Sequence, residues 1–233
     1  MQAIILAGGK GTRLKPFTTN FPKPLIPIGD MPILEIILRQ LKNNGFTNIV
    51  ITVNHLAELI MAFFGKGEKW GLNITYSIEN TSLGTAGPIS LIDNLEDNFL
   101  VMNGDVLTTL NFKNLYRYHM YNKNDISIST FRREEQIHLG VLESENDDFK
   151  KYIEKPIYYF DVSMGIYMVN KRMKTYIPQN SKFDMPELIT LAKKEDSRIK
   201  CYRGDYFWLD IGRVDDFEKA NEIFTQKKKM FLP

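Results

Sequence analysis

The chain has 233 residues, of which 43% are hydrophobic and 25% are charged. This balance is that of a globular domain, and it excludes collagen-like, disordered and disulfide-scaffold classes. The single cysteine, Cys201, excludes an intramolecular disulfide framework and a cysteine-rich zinc site, and it suits a reducing compartment.

The formal net charge is only +2, which is too even to nominate nucleic acid as the main partner. The first nine residues lack the basic region and the apolar length of a signal peptide. No apolar run approaches the ~20 residues that a membrane-spanning helix needs. We therefore expect a cytoplasmic protein that binds neither nucleic acid nor membrane.

Residues 1–110 alternate between strand and helix patterns. Short apolar runs predict buried parallel strands, and apolar residues at helical spacing predict helices between them. The predicted strands are 3–7, 49–53, 73–78 and 99–102, and the predicted helices are 32–44, 56–64 and one from about 85 that carries Ile89, Ile92 and Leu95. This alternation predicts an α/β fold with a doubly wound, mostly parallel sheet.

Residues 111–233 show a different pattern. Strands are predicted at 126–131, 138–143, 149–154 and 164–169, with few helices between them, and helices at 184–193 and 214–228. The simplest interpretation is an insertion of mixed or antiparallel strands into the same sheet. With no repeat and no linker, we expect one domain over 1–233 that ends in a helix.

A glycine-rich basic loop follows the first strand and includes Gly8, Gly9, Gly11, Thr12 and Arg13. Open α/β sheets bind ligands at the carboxyl ends of their strands. Glycines allow backbone N–H groups to approach a phosphate closely, and arginine matches its oxygens with a planar fork. The spacing fits neither a dinucleotide fingerprint nor a Walker P-loop, so the loop predicts a phosphate site of another kind.

Lys23 lies between Pro22 and Pro24. Each proline fixes its own φ and restricts the residue before it, so we expect Lys23 to be extended. A lysine held in this way, ten residues after Arg13, is expected to face the same anion.

The run from Leu6 to Thr18, Leu-Ala-Gly-Gly-x-Gly-Thr-Arg-Leu-x-Pro-x-Thr, together with Pro22-Lys23-Pro24, resembles the signature of the sugar-1-phosphate nucleotidyltransferases. The resemblance extends over essentially the whole chain. It implies a Rossmann-like sheet of the GT-A type and a reaction of a nucleoside triphosphate with a sugar 1-phosphate that releases pyrophosphate. Arg13 would hold the β- and γ-phosphates and Lys23 the α-phosphate. The nucleotide-binding residues implied are Leu6, Ala7, Gly8, Gly9, Gly11, Thr12, Arg13, Glu79, Gly84 and Thr85.

Two aspartates are the candidate metal ligands. Asp105 ends an apolar strand at the same sheet edge as the glycine-rich loop, although it could instead cap the next turn. Asp210 lies among apolar residues, where burial is costly without a cation or hydrogen-bond donors. The resemblance assigns both carboxylates to Mg²⁺ and makes Asp105 catalytic, since Mg²⁺ accepts a few protein oxygens alongside phosphate and water.

The resemblance also implies a site for the sugar phosphate. Its members would be Asn103, Gly140, Glu154, Lys155 and Ser163. Glu154 and Lys155 match a Glu-Lys-Pro element, although an exposed ion pair is the alternative interpretation. Ser163 lies shortly before Gly165, where the family often has an asparagine that binds a sugar hydroxyl. A serine hydroxyl offers fewer hydrogen bonds than an amide, so the exact contact to the sugar is not determined by the sequence.

The segment from Glu79 to Pro88 indicates the base, because its Leu-Gly-Thr-Ala-Gly-Pro run resembles the guanylyltransferase branch. Guanine presents adjacent N1–H and N2–H₂ donors to one carboxylate, whereas uracil and thymine present one donor between two carbonyls. Glu79 could therefore read guanine, unless it is a solvated strand end. The short chain without a C-terminal β-helix resembles bacterial heptose 1-phosphate guanylyltransferases, with mannose 1-phosphate or an amino sugar phosphate as the other substrates that stay open.

Other functions remain open at this point. A thymidylyl-, uridylyl- or cytidylyltransferase would share the same scaffold. A metal-dependent glycosyltransferase would normally carry Asp-x-Asp, which the run Asp105-Val106-Leu107 lacks. A non-catalytic sugar-nucleotide sensor would be expected to lose Arg13, Lys23 or an aspartate. We expect nucleoside triphosphate and sugar 1-phosphate as the small-molecule partners, and a homo-oligomer is compatible with the sequence.

Overall fold

A computed structural model describes residues 1–232 of the protein. Its strands are β1 (Gln2–Leu6), β2 (Pro27–Ile28), β3 (Met31–Pro32), β4 (Asn48–Val53), β5 (Asn73–Ile78), β6 (Asn98–Asn103), β7 (Val106–Thr108), β8 (Ile126–Gln136), β9 (Val141–Glu145), β10 (Asp148–Ile153), β11 (Ile157–Asn170), β12 (Ile199–Tyr202) and β13 (Trp208–Asp210). The α-helices are α1 (Ile33–Asn43), α2 (Ala57–Phe64), α3 (Phe112–Tyr121), α4 (Met185–Lys194) and α5 (Val214–Phe231).

Seven strands form the central sheet in the order β12-β8-β11-β6-β1-β4-β5. All neighbouring pairs are parallel except those of β11, which runs antiparallel to both β6 and β8. The predicted doubly wound, mostly parallel α/β fold is therefore confirmed. Because β1, β4, β5 and β6 are mutually parallel, their carboxyl ends lie at one edge of the sheet.

Two hydrophobic clusters pack on the two faces of this sheet. Alternate residues of β1 divide between them: Ile5 joins the cluster with Ile36 of α1 and Phe224 of α5, whereas Ile4 joins the cluster with Leu188 of α4. This division is the two-residue period of a strand that is buried on both faces. The sheet is thereby held rigidly beneath the loops at its carboxyl edge.

The predicted helix from about 85 is wrong. Only a 3-10 helix over Gly87–Leu91 forms, and Ile92 is already extended. The N–H groups of Ala86 and Gly87 both donate to the carbonyl of Phe183, so they are already committed to a distant segment. The apolar stripe Ile89, Ile92 and Leu95 is nevertheless buried as predicted.

Helix α3 and strand β12 were not predicted, and the predicted strand at 138–143 begins later, as β9. Beyond Thr130, β8 and β11 run on as a two-stranded ribbon, and the β9–β10 hairpin connects them. We call residues 131–162 the β-arm. It is the predicted antiparallel insertion, and most of its residues are exposed. None of the helices within residues 1–232 is both long and apolar enough to cross a membrane.

His119 of α3 is a buried structural residue. Its ring bonds to the Ser127 hydroxyl at 2.9 Å and to Asn98 Oδ1 at 3.0 Å. Burial lowers the pKa of His119 from 6.5 to about 4, with the nearby Asp125 opposing the shift. The imidazole is therefore neutral in the folded protein at neutral pH.

This histidine is expected to make folding acid-sensitive. Between pH 6.5 and about 4 the imidazole of His119 is protonated in the unfolded chain but neutral in the folded protein. The free energy of unfolding therefore falls as the pH falls through this range. The loss amounts to roughly 3 kcal/mol at ~1.4 kcal/mol per pKa unit. Urea titrations of wild type and His119→Gln across this range isolate the effect from that of the carboxylates. Identical pH dependence in the two proteins would contradict it.

Candidate active site

The carboxyl edge of the parallel strands opens into a cleft of about 260 Å³. Strand β1 leads into the glycine-rich loop there, and β4, β5 and β6 end beside it. The cleft is lined by Leu6, Gly8, Gly9, Thr52, Glu79, Ser82, Gly84, Thr85, Asn103 and Asp105. Parallel strand order thus brings residues from four separate sequence segments to one site.

Lys23 reaches Asp105 in this cleft. Its ammonium donates to Asp105 Oδ2, and the two side chains are only 12% and 23% exposed. The predicted extended conformation of Lys23 is wrong, because this residue opens a 3-10 helix over Lys23–Leu25. Pro24 fits the second position of that helix, whose turn closes through the Leu25 N–H and the Pro22 carbonyl. The expected approach to the sheet edge is nevertheless present.

Asp210 lies beside Asp105 because β13 pairs with β7. The Ile211 N–H donates to the Asp105 carbonyl at 3.0 Å, and Asp210 is the register partner of Val106. Burial raises the pKa of the Asp210 carboxyl, and the charge of Asp105 raises it further, while Lys23 and Arg13 oppose the shift. The two predicted metal carboxylates and the two predicted phosphate-binding cations therefore share one electrostatic environment.

Arg13 reaches this environment from the 3-10 helix Thr12–Leu14, which follows Gly11. Leu14 anchors that turn in the protein interior, while Arg13 itself is exposed. The Arg13 guanidinium and Asp210 Oδ2 both pack against Gly212. An exposed guanidinium beside a carboxylate pair is free to bind an anion that enters from solvent.

The carboxylate pair fits a divalent cation. Asp105 Oδ1 is buried and has no hydrogen-bond partner in the described structure, which is costly unless a ligand satisfies it. Within residues 1–232, no group of three or more His, Cys, Asp or Glu side chains could hold a metal. Protein ligands would thus be limited to Asp105 and Asp210, with phosphate and water oxygens completing the shell, a pattern that Mg²⁺ favours.

Glu79 follows β5, lines the same cleft and is only 6% exposed. Its Oε2 accepts a hydrogen bond from the Leu83 N–H at 3.0 Å, and the Asn54 amide donates to its backbone carbonyl at 2.6 Å. Its Oε1 faces Gly8 so closely that a Cβ there would lie 2.8 Å away. The solvated strand end considered for Glu79 is therefore wrong, and a side chain at position 8 would force the Glu79 carboxylate to shift.

Burial raises the pKa of the Glu79 carboxyl, with the Leu83 N–H opposing the shift. The folded state then holds this proton to a higher pH than the unfolded chain does, so ionisation of Glu79 lowers stability at neutral pH. We expect Glu79→Gln to unfold at a higher temperature than wild type at pH 7. The difference should vanish at a pH below the ordinary carboxyl range, and a lower unfolding temperature at pH 7 would contradict this expectation.

Thr85 and Gly84 line the cleft, but the Thr85 side chain is committed to other residues. Its hydroxyl donates to Asp184 Oδ1 at 3.1 Å and accepts from the Met185 N–H at 2.8 Å. Asp184 and Asn54 were missed by sequence reasoning, as was Thr52 in the cleft wall. No motif signalled them, because their proximity arises only from tertiary contacts.

The predicted sugar-phosphate residues fall into two groups. Asn103 lies in the cleft and contacts Gly165, whose N–H is 3.4 Å from the Ser163 hydroxyl. That hydroxyl also bonds to the Tyr167 hydroxyl at 2.8 Å. Gly165 therefore lies between Asn103 and Ser163 and contacts both.

The second group lies on the β-arm. Tyr152 packs against Gly140 and donates to Glu154 Oε2 at 2.9 Å. Lys155 is exposed and lies 3.9 Å from Glu154, which is the arrangement of the exposed ion pair considered as the alternative. The structure thus brings Gly140, Glu154 and Lys155 together on the arm, apart from the residues that line the cleft.

The chain is also similar to known proteins. The family profile described as nucleotidyl transferase matches residues 2–227. A UTP–glucose-1-phosphate uridylyltransferase of Synechocystis is 32% identical over 94% of this chain and 62% of its own length. A probable mannose-1-phosphate guanylyltransferase 1 of Oryza sativa is 33% identical over 100% of this chain and 67% of its own. The chain thus spans about two thirds of the length of these curated relatives.

The fold also matches a solved structure of similar length. HddC from Yersinia pseudotuberculosis, crystallised with GMP-PN, superposes with a TM-score of 0.74 at 27% identity. The match covers 96% of this chain and 99% of that one.

Proposed function

Because the chain belongs to the nucleotidyl transferase family, we propose that it joins a nucleoside triphosphate to a sugar 1-phosphate and releases pyrophosphate. The observation that carries this proposal is the convergence of Lys23, Arg13, Asp105 and Asp210 at the carboxyl edge of the sheet. The reaction brings the negative charges of the triphosphate and the sugar phosphate together. Lys23 and Arg13 can neutralise part of this charge directly, and Asp105 and Asp210 can hold a divalent cation that neutralises more of it.

Each group has a distinct task in this reaction. An oxygen of the sugar phosphate attacks the α-phosphorus, the bond to the bridging β-phosphate oxygen breaks, and pyrophosphate leaves. Lys23 neutralises charge on the α-phosphate, and the Arg13 fork holds the departing pyrophosphate. Mg²⁺ bound by Asp105 and Asp210 would supply Lewis-acid neutralisation of the phosphate oxygens. The hydrogen bond to Asp105 holds the Lys23 ammonium at this centre.

GTP is the proposed nucleotide. A buried carboxylate at the base end of the cleft favours a base with adjacent donors, and guanine has them. Glu79 Oε2 accepts one hydrogen bond, from the Leu83 N–H, and Oε1 lies beside Gly8, so each carboxylate oxygen keeps a lone pair for a donor of the base. The guanylyltransferase names among the relatives and the GMP-PN complex of HddC support this choice, whereas the Synechocystis relative is named for UTP.

The sugar is proposed to be manno-configured, either a heptose or mannose. This proposal depends on the resemblance to the guanylyltransferase branch, with Asn103, Ser163, Gly140, Glu154 and Lys155 as the sugar-phosphate contacts. Retention of all four charged groups of the reaction centre favours catalysis over the sensor hypothesis. A homo-oligomer and a cytoplasmic location stay predictions.

The assignment of Glu79 to base recognition is tested by replacing its carboxylate with an amide. Glu79→Gln replaces an acceptor with a donor, so we expect the ratio of kcat/KM for GTP over UTP to fall by about tenfold or more. All four common nucleoside triphosphates are assayed against heptose, mannose and glucose 1-phosphates by pyrophosphate release. Exposed Glu58→Gln is the matched control. Unchanged selectivity in Glu79→Gln would remove Glu79 from base recognition.

A further inference from the structure

The segment 79–87, which we call the base-side loop, is held in place by residues from the other half of the chain. The Phe183 N–H donates to the Leu83 carbonyl at 2.9 Å. The Phe183 carbonyl accepts from the N–H groups of Ala86 and Gly87 at 2.9 and 2.8 Å. The backbone of the loop is therefore joined to the segment that leads into α4.

One side chain completes this connection. Asp184 Oδ1 accepts from the Thr85 N–H at 2.8 Å and from the Thr85 hydroxyl at 3.1 Å. The same oxygen approaches Gly84 so closely that a Cβ there would lie 2.6 Å away, and Gly84 has a φ of +81°. Glycine is favoured at 84 by this positive φ and by the Phe183 carbonyl oxygen, which would lie 2.8 Å from the same Cβ.

The loop is consequently braced at two points. Glu79 holds the Leu83 N–H from the cleft side, and Asp184 holds Thr85 from the opposite side, with Gly84 between them. Both Gly84 and Thr85 line the cleft, whereas Asp184 does not. A charge-assisted bond to a backbone N–H is a strong and geometrically specific restraint.

We propose that Asp184 is a positioning residue that sets the place of the base-side loop and thereby the affinity and selectivity for the nucleotide. This inference rests on the proposed function, and it adds a determinant outside the cleft. Asp184 acts through Thr85 and Gly84 and does not touch the base. Its removal frees the loop to move away from Glu79, which weakens recognition of every base and most of all the preferred one.

A purely structural role is the alternative, because Asp184 precedes α4. The Asp184 N–H donates to Glu187 Oε2 at 2.7 Å, so Glu187 also stabilises this helix end. Glu187 makes no hydrogen bond to the base-side loop among the described residues. Glu187→Ala therefore weakens the same helix end without releasing Thr85, which makes it the matched control.

The test measures binding and kinetics in the full chain. Asp184→Ala is expected to raise KM for the preferred nucleotide by about tenfold or more, with kcat and KM for the sugar 1-phosphate changed less than threefold. Selectivity among GTP, UTP, CTP and dTTP should flatten. Asp184→Asn, whose amide oxygen still accepts from Thr85 N–H, should recover most of the loss. Glu187→Ala should lower the unfolding temperature and leave KM for the nucleotide within twofold.

Thr85→Val serves if Asp184→Ala does not fold. At constant size it removes the hydroxyl bonds to Asp184 and from the Met185 N–H but keeps the Thr85 N–H bond to Asp184, so a smaller rise in KM is expected. Two results would overturn the inference. One is an equal change of KM for the nucleotide in Asp184→Ala and Glu187→Ala, and the other is an unchanged KM in both Asp184→Ala and Thr85→Val. Wild-type protein that binds none of the four nucleotides, by calorimetry, would overturn the proposed function and this inference together. If wild type is active and the Asp184 variants have the same KM and selectivity for the nucleotide as wild type, this inference alone is overturned.

Discussion

Asp105→Asn is expected to lower kcat by about three orders of magnitude while the fold survives. The substitution removes the negative charge that pairs with Lys23. It also replaces the carboxylate that carries the buried, unpartnered Oδ1 with a neutral amide, which binds a cation more weakly. It is nearly isosteric, so β7 and its register with β13 should be retained. Pyrophosphate release at saturating Mg²⁺ gives the rate, and circular dichroism checks the fold.

Asp205→Asn is the control for this substitution, since Asp205 is exposed. It should retain the wild-type rate within about twofold, as surface changes usually do. A wild-type rate in Asp105→Asn would remove Asp105 from the reaction and leave its role as that of a turn residue.

Lys23→Met has the second largest expected effect, a loss of about 10²- to 10³-fold in kcat/KM. Methionine keeps the length and packing of the side chain, but it removes the charge proposed to face the α-phosphate. It also leaves Asp105, which is 23% exposed, without its ammonium partner. If Lys23 acts on the transition state, kcat falls along with kcat/KM.

The outcome is interpreted against Lys66→Met, an exposed lysine remote from the cleft. That control should be indistinguishable from wild type. A rise in KM without a fall in kcat for Lys23→Met would assign Lys23 to ground-state binding, which contradicts the role proposed here.

The parts of the site that sequence could predict are those governed by local pattern. An apolar strand followed by glycines predicts a buried parallel strand with a loop at the carboxyl edge of the sheet, and β1 with Gly8 and Gly9 in the cleft wall follows this rule. The same rule places Asp105 after β6, and hence at the same edge. Convergence of these residues required only the parallel order of the sheet.

The parts that sequence could not predict depend on distant partners. Lys23 meets Asp105 across 82 positions, and Asp184 meets Thr85 across 99. The stripe Ile89, Ile92 and Leu95 has helical spacing, yet the backbone is extended at Ile92, so only a 3-10 turn forms after the bonds of Ala86 and Gly87 to Phe183. Tertiary bonds of this kind override local propensity, and no single-sequence pattern reports them.

The near-neutral net charge of +2 does not report how charges are arranged locally. Arg13 and Lys23 lie beside Asp105 and Asp210, so these four opposite charges cancel in the sum although they are concentrated at one edge of the sheet. Balanced composition is therefore compatible with a strongly structured electrostatic site.

The proposed transfer reaction is tested directly by phosphorus NMR of GTP, a manno-configured sugar 1-phosphate and Mg²⁺ incubated with the protein. We expect the α-phosphorus of GTP and the sugar phosphorus to appear together in a diphosphate diester, and the β- and γ-phosphorus to appear as pyrophosphate in equal amount. Release of orthophosphate alone, or no change with any nucleoside triphosphate and sugar 1-phosphate pair, would contradict it.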